Sequence, residues 1–117
     1  MNLEMKDALA QFKNWRDSAA RLLFTRVEDG KAVTWRCRIG VVRDTSIVLG
    51  RIDEIPQTFS IRRLDDADFE YEDPREASPP RGVRLRFVRS MEISWPTGES
   101  CLIRELADDI GTTPPIG

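Results

Sequence analysis

Residues 33–52 constrain the fold more than any other stretch, because they alternate between apolar and polar side chains. The apolar members of one parity are Val33, Trp35, Cys37, Ile39 and Val41, and the other parity carries Thr34, Arg36 and Arg38. A period of two is what a strand with one buried and one solvated face requires. A polar break at residues 43–45 precedes a second apolar run at 46–49. The stretch therefore predicts a β-hairpin at the centre of a small β domain.

The composition fits one domain with a heavily charged surface. The chain has 117 residues, a net charge of −2 and 32% charged residues. A chain of this size can bury a core without disulfides or metals, and a net charge near zero gives no general attraction to nucleic acid or acidic lipid. No apolar run approaches the roughly 18 residues that span a bilayer, and the first residues lack the apolar segment of a signal peptide. We therefore expect a cytoplasmic protein without membrane contact.

The remaining patterns predict one helix and further strands. The helix is predicted over residues 3–19, where apolar residues recur at helical spacing: Met5, Ala8, Leu9, Phe12, Trp15 and Ala19. Strands are predicted over about 21–28, 33–42, 46–51, 58–63, 68–72, 83–95 and 100–106. These elements form a predicted single domain, residues 1–106. Proline and polar residues predict a mobile loop at 73–82 and a flexible tail at 107–117.

Local signals specify turns and two irregular places in strands. Asp29-Gly30 predicts a two-residue type I′ hairpin turn, and Gly98 suits a left-handed position in the turn after Trp95. Gly40 predicts a bend or bulge. Arg89 falls in the inward phase of its strand, so either a bulge shifts the register near residue 88 or the arginine points inward and is paired. The adjacent apolar residues 87–88 favour the bulge.

The order of elements over residues 3–72 resembles that of Sm-like and SH3-like small barrels. It consists of a helix, a strand, the Asp29-Gly30 turn, a long bent strand and three further short strands. The resemblance implies a mainly β fold with one N-terminal α-helix, built as a small antiparallel β-barrel or strongly bent sheet of about six or seven strands. It concerns the fold alone, and a fold of this kind does not specify a function.

Few residues offer chemistry. The chain has no histidine, the commonest general base and metal ligand near neutral pH, and it has no glycine-rich phosphate loop or serine nucleophile elbow. Cys37 and Cys101 lack metal-ligand spacing and lie in apolar strand patterns, so they are predicted to be buried free thiols. The acidic run at 65–73 is interpreted as a solvated face, paired across strands with Arg84 and Arg86, and a cation site there is the alternative. We predict neither cofactor nor metal.

Outward-facing arginines are the remaining candidates for binding. Arg36, Arg38, Arg43 and Arg62 are predicted to make charged contacts with a partner. The leading hypothesis is a non-enzymatic protein-interaction or regulatory module that binds another protein or itself, as a homodimer. The alternatives are RNA or single-stranded DNA binding through an arginine-bearing sheet face, and an enzyme that uses two carboxylates.

Overall fold

The chain folds into one antiparallel sheet with an α-helix against it. The computed structural model describes residues 1–52, 57–73 and 87–107. Within those ranges the helix is α1 (Met5–Asp17), and a 3₁₀ turn spans Leu64–Asp66. The eight strands of these ranges are β1 (Asn2–Leu3), β2 (Leu22–Glu28), β3 (Lys31–Val42), β4 (Ile47–Arg51), β5 (Thr58–Ile61), β6 (Asp68–Glu72), β7 (Phe87–Ser94) and β8 (Ser100–Leu106).

The strands lie in the order β1-β6-β7-β8-β2-β3-β4-β5. Consecutive strands pair from β2 to β5 and again from β6 to β8, and β8 pairs with β2 to join the two groups. The prediction of a mainly β fold with one helix is confirmed.

The prediction gave a small β-barrel or a strongly bent sheet, and the barrel is wrong, as is the number of about six or seven strands. The sheet has eight strands in the described ranges and is open, with β1 and β5 at its edges. β5 ends at Ile61, and Arg63 then takes the left-handed conformation, with φ 56° and ψ 38°. A left-handed residue cannot continue a strand, so the chain turns away and crosses through the 3₁₀ turn to β6. The β4–β5 ladder ends at Ile61, two residues before this left-handed position.

The β2–β3–β4 meander contains the predicted turn and bulge. Asp29 and Gly30 have φ values of 50° and 76°, and positive φ at both central residues is the requirement of a type I′ turn. On β3, Ile39 lies opposite Leu49 and Val41 opposite Val48, so Gly40 is the extra residue of a bulge. The bulge reverses the parity that follows it. Val41 is therefore exposed, contrary to the alternation read from the sequence, and Val42 packs against the core instead.

The core lies between the inner face of the sheet and α1. The helix contributes Ala8, Phe12 and Trp15, which are fully or almost fully buried. The Phe12 ring lies 6.3 Å from the Phe69 ring of β6. The sheet contributes alternate residues of its strands: Leu22, Phe24, Cys37, Ile39, Ile47, Leu49, Ile61, Phe69, Met91, Ile93, Cys101 and Ile103. Both cysteines are buried free thiols, as predicted.

A polar junction joins the helix to the sheet beside this core. Glu105 lies at an inward position of β8, and its Oε1 accepts hydrogen bonds from Trp15 Nε1 at 2.7 Å and Arg89 Nη1 at 3.0 Å. Arg89 Nε also lies 3.3 Å from Asp73 Oδ2. β7 has a register shift between Phe87 and Ser90. Both alternatives for Arg89 are therefore present at once, because the strand bulges and the arginine is paired.

The acidic strand β6 pairs with β7 in the described ranges. Glu70 lies opposite Glu92, and Glu72 opposite Ser90. The N-terminal amine lies 2.6 Å from the Glu70 carboxylate. Residues 68–72 of β6 therefore lie opposite residues 90–94 of β7. The predicted partners Arg84 and Arg86 lie outside the described ranges.

Some sequence predictions fall outside the described residues. They are the mobile loop beyond residue 73, the start of the predicted strand 83–95, and the flexible tail beyond residue 107. Among the residues that the structure describes, no helix has the length and apolarity that crossing a membrane requires.

The polar junction generates a stability prediction. Trp15→Phe should lower the free energy of unfolding by about 1–3 kcal/mol, because Glu105 loses a partly buried donor and the core loses ring volume. Urea unfolding followed by circular dichroism measures the change. Trp95→Phe is the matched control: its indole N–H donates to a carbonyl at an exposed site, so its loss should cost less. Equal losses in the two variants would show that the junction adds nothing.

Candidate functional site

A groove of about 790 Å³ lies at the end of the sheet away from the polar junction. Its walls come from three places: residues 24, 26 and 27 of β2, residues 60–63 at the end of β5, and residues 95 and 97–101 of the β7–β8 hairpin. We call this set the arginine groove. Arg26 lies opposite Cys101 on the β2–β8 ladder, whereas Glu105 of the junction lies opposite Leu22. Four residues along a strand separate the two places by about 13 Å, and no described residue of α1 lines the groove.

Three arginines give the groove its positive character. Arg26, Arg62 and Arg63 line it, and Glu99 is the one carboxylate among its described lining residues. Arg63 Nη2 lies 3.4 Å from Glu99 Oε2, and Arg26 forms an ion pair with Glu28. Arg62 is exposed and has no ion-pair partner within the described ranges. A guanidinium that stays solvated and unpaired is available to a carboxylate or phosphate from outside.

An aromatic cluster holds Arg26 at the groove wall. The rings of Phe24 and Trp35 stack with centroids 5.8 Å apart, and Phe59 lies 4.8 Å from Phe24 and 5.1 Å from Trp35. The Arg26 guanidinium carbon lies 5.1 Å from the Trp35 centroid, and that of Arg51 lies 5.0 Å from it. Trp35 is thus in cation–π contact with two guanidinium groups. Because Arg26 rests on rings, its charge is fixed in position before any ligand arrives.

The opposite rim depends on the backbone of Arg63. Its left-handed conformation exposes the carbonyl to Trp95, whose Nε1 donates to it at 2.8 Å. The β7–β8 hairpin turn is closed by Gly98, at φ 92° as its sequence predicts, and it presents Glu99 to the Arg63 side chain. A non-glycine residue in the left-handed region carries a cost of about 1 kcal/mol or more, and such residues concentrate at functional sites. The rim is therefore a strained part of the chain.

The predicted binding residues do not form one surface. Arg62 lines the groove. Arg36 and Arg38 are exposed on β3 at positions that alternate with buried Cys37 and Ile39, so they project from the outer face. Arg43 lies in the turn between β3 and β4. The structure therefore brings one of the four to the groove and leaves three elsewhere.

Sequence reasoning missed Arg26, Arg63 and Glu99 as members of the site. Arg26 had a usable signal, because it continues the inward parity of Leu22 and Phe24. A charged residue at an inward strand position must be paired, stacked or directed into a cavity. Arg63 and Glu99 had no comparable signal in the sequence, because these two residues meet only through the chain crossing that follows β5.

Cys101 reaches the groove as a neutral thiol. Burial raises its pKa from the ordinary 9.0 to about 12, while the Arg26 charge acts in the opposite direction and Glu92 adds to the increase. The thiolate is the nucleophilic form of cysteine, so at neutral pH this side chain contributes apolar surface to the groove. Within the described ranges, no three Cys, Asp or Glu side chains are grouped so that they could hold a metal ion.

Comparison with known proteins adds no assignment. No family model, curated protein or solved structure matches the chain.

Titration of Cys101 predicts a loss of stability in alkali. Because the thiol pKa is higher in the folded state, the folded chain keeps a proton that the unfolded chain releases. The contribution of the protonated thiol to the free energy of unfolding is complete below about pH 9. It declines by about 1.4 kcal/mol per pH unit as the pH rises toward 12. The stability difference between the wild type and Cys101→Ala should thus shrink by about 2 kcal/mol between pH 7.5 and pH 10.5, as measured by urea unfolding. A constant difference would contradict the assignment, and pH 6 against pH 7.5 gives the control interval.

The strained rim predicts an ordering of Arg63 variants. Arg63→Gly and Arg63→Val both lose the ion pair to Glu99, but only valine keeps the backbone penalty and adds a branched Cβ to it. The glycine variant should therefore be more stable than the valine variant by about 1–2 kcal/mol. Thermal unfolding of both variants measures the difference, and equal stabilities would show that the left-handed conformation is absent in solution.

Proposed function

We propose that this chain is a non-enzymatic interaction or regulatory module of the cytoplasm, which binds an acidic segment of a partner protein in the arginine groove. The observation that carries the proposal is the convergence of Arg26, Arg62 and Arg63 on one concave surface with Trp95 at its rim. Guanidinium groups recognise carboxylates through paired hydrogen bonds, and half-buried aromatic side chains supply contact area beside them.

The groove supports a binding role better than a catalytic one. Acid–base catalysis by carboxylates needs two of them near the reacting bond, whereas Glu99 is the single carboxylate among the described lining residues and is paired with Arg63. The neighbouring thiol is neutral at physiological pH. These groups can hold an anion in place, and they lack a matched acid and base.

Nucleic acid is less well supported as the ligand. The hypothesis of an arginine-bearing sheet face requires aromatic side chains beside the arginines, on which bases stack. Arg36 and Arg38 lie on the outer face, whereas Phe24, Trp35 and Phe59 lie on the inner face and pack on one another. The outer neighbours of these arginines across the sheet include Leu23 and Gly50. For Arg36 and Arg38, the arginines and the aromatic rings of such a site are thus on opposite faces.

The proposal predicts a position-specific loss of binding. Arg62→Glu should weaken the binding of poly-L-glutamate by about tenfold or more, equivalent to about 1.4 kcal/mol, because it replaces an unpaired groove cation with an anion. Arg38→Glu makes the same change of charge on the outer face and should alter the affinity less than about twofold. Fluorescence titration at constant salt measures both, since Trp95 lies at the groove.

The same titration with single-stranded oligo(dT) separates the alternatives. At equal salt we expect oligo(dT) to bind more weakly than poly-L-glutamate. We also expect Arg62→Glu and Arg38→Glu to change the affinity for oligo(dT) to the same extent. Tighter binding of oligo(dT), or equal effects of the two substitutions on poly-L-glutamate, would overturn the proposal.

A further inference from the structure

Strand β5 presents an open main-chain edge beside the arginine groove. β5 is the last strand in the sheet order, and within the described part of the chain it pairs on one side alone, with β4. Thr58 and Ser60 are exposed, and Ser60 lines the groove together with Arg62. The open edge and the groove are therefore continuous.

The hydrogen-bond pattern identifies the groups that face outward. Arg51 N donates to Gln57 O at 2.7 Å, so these two residues form a hydrogen-bonded pair of the β4–β5 ladder. Hydrogen-bonded and non-hydrogen-bonded pairs alternate along antiparallel strands, and Thr58 and Ser60 lie opposite Gly50 and Val48. Their main-chain N–H and C=O groups consequently point away from β4, toward the free edge.

The edge strand β5 is short, at four residues, and its outward positions carry no charge. Natural sheets cover their edges or place lysine, proline or an inward charge on them, because an open edge recruits other strands. The outward positions of β5 carry the small polar side chains of Thr58 and Ser60, which leave the main chain accessible. Arg62 and Arg63 of the groove follow β5 directly in the chain, and their charge attracts acidic chains and repels basic ones.

We infer that the ligand of the arginine groove is an extended acidic peptide of a partner protein that adds as a further strand to the edge of β5. The main chain of the peptide hydrogen-bonds to Thr58 and Ser60, as in other cases of strand addition. Side chains of an added strand alternate between faces. Those beside Phe59 and Ile61 enter the groove from the inner face and suit apolar residues, whereas a residue opposite Arg62 suits a carboxylate.

This inference rests on the proposed function and narrows its ligand. The proposed function requires only an acidic segment, whereas this inference requires an extended segment in which acidic and apolar residues alternate. A helical or purely electrostatic ligand would use the arginines without using the edge of β5.

The test uses proline at an outward position. Ser60→Pro removes the N–H that faces the edge and leaves the β4–β5 bonds intact, a position where edge strands accept proline. Ser60→Ala keeps the N–H and is the matched control. The probe is a short capped peptide of alternating Glu and Val with serine at both ends, titrated into the full chain by isothermal calorimetry. We expect Ser60→Pro to weaken binding about fivefold to tenfold and Ser60→Ala to change it less than twofold.

A modified peptide keeps the inference testable if Ser60→Pro disturbs the fold. Methylation of the Glu amide nitrogens removes donors from the main chain without changing the charge, and the methylated peptide should bind the wild type about tenfold more weakly. Equal binding of the methylated and unmethylated peptides, with the Arg62→Glu effect retained, would overturn strand addition and leave the arginine groove as the site. Loss of the Arg62→Glu effect would overturn both.

A second copy of the chain is the competing occupant of the edge. Sedimentation velocity over a range of concentrations distinguishes it. We expect a monomer that binds the peptide. A dimer that is disrupted by Ser60→Pro, maintained by Ser60→Ala and unaffected by excess peptide would show that β5 pairs with β5 of another copy, and would overturn the inference.

Discussion

The rest of the structure depends on the partial coverage of the sheet by its helix. α1 has 13 residues, which gives a length of about 20 Å, and it packs mainly on β3 with Phe12 against β6. The inner face near α1 becomes a closed core, and the Glu105 carboxylate fixes the helix through Trp15. The face beyond the helix must bury its apolar residues in another way. There the sheet relies on its own aromatic cluster, and the arginine groove opens beside that cluster.

Charged residues at inward strand positions have different roles at the two ends. Glu105 continues the inward parity of Cys101 and Ile103 and is satisfied by Trp15 and Arg89. Arg26 continues the inward parity of β2 at the other end, where it stacks on Trp35. An inward charge is tolerated only with compensation. At the helix end Trp15 and Arg89 compensate the carboxylate, whereas at the groove Trp35 and Glu28 compensate Arg26. The neighbouring Arg62 stays exposed and has no ion-pair partner within the described ranges.

Local patterns predicted those features whose cause is local. The alternation of β3, the positive φ values of Asp29 and Gly30, and the left-handed Gly98 all follow from a few neighbouring residues. The pairing of β8 with β2 joins residues more than 70 positions apart, and the two-residue strand β1 is too short for a periodic signal. The groove depends on such distant pairings. Arg62 could be proposed from its polarity and position, but its meeting with Arg26 required the strand order.

The left-handed backbone of Arg63 lies where the end of β5 meets the candidate site. If β5 continued in register past Ile61, its arginines would alternate between the two faces and its edge would move toward a neighbouring strand. Both arginines instead line the groove, and the Arg63 carbonyl accepts hydrogen bonds from Trp95 Nε1 and Asp66 N. Within the described chain β5 pairs with β4 alone, so the outward N–H groups of β5 have no strand partner there. The turn after β5 therefore places two guanidinium groups directly beside an open main-chain edge, and this juxtaposition is the basis of the proposed strand addition.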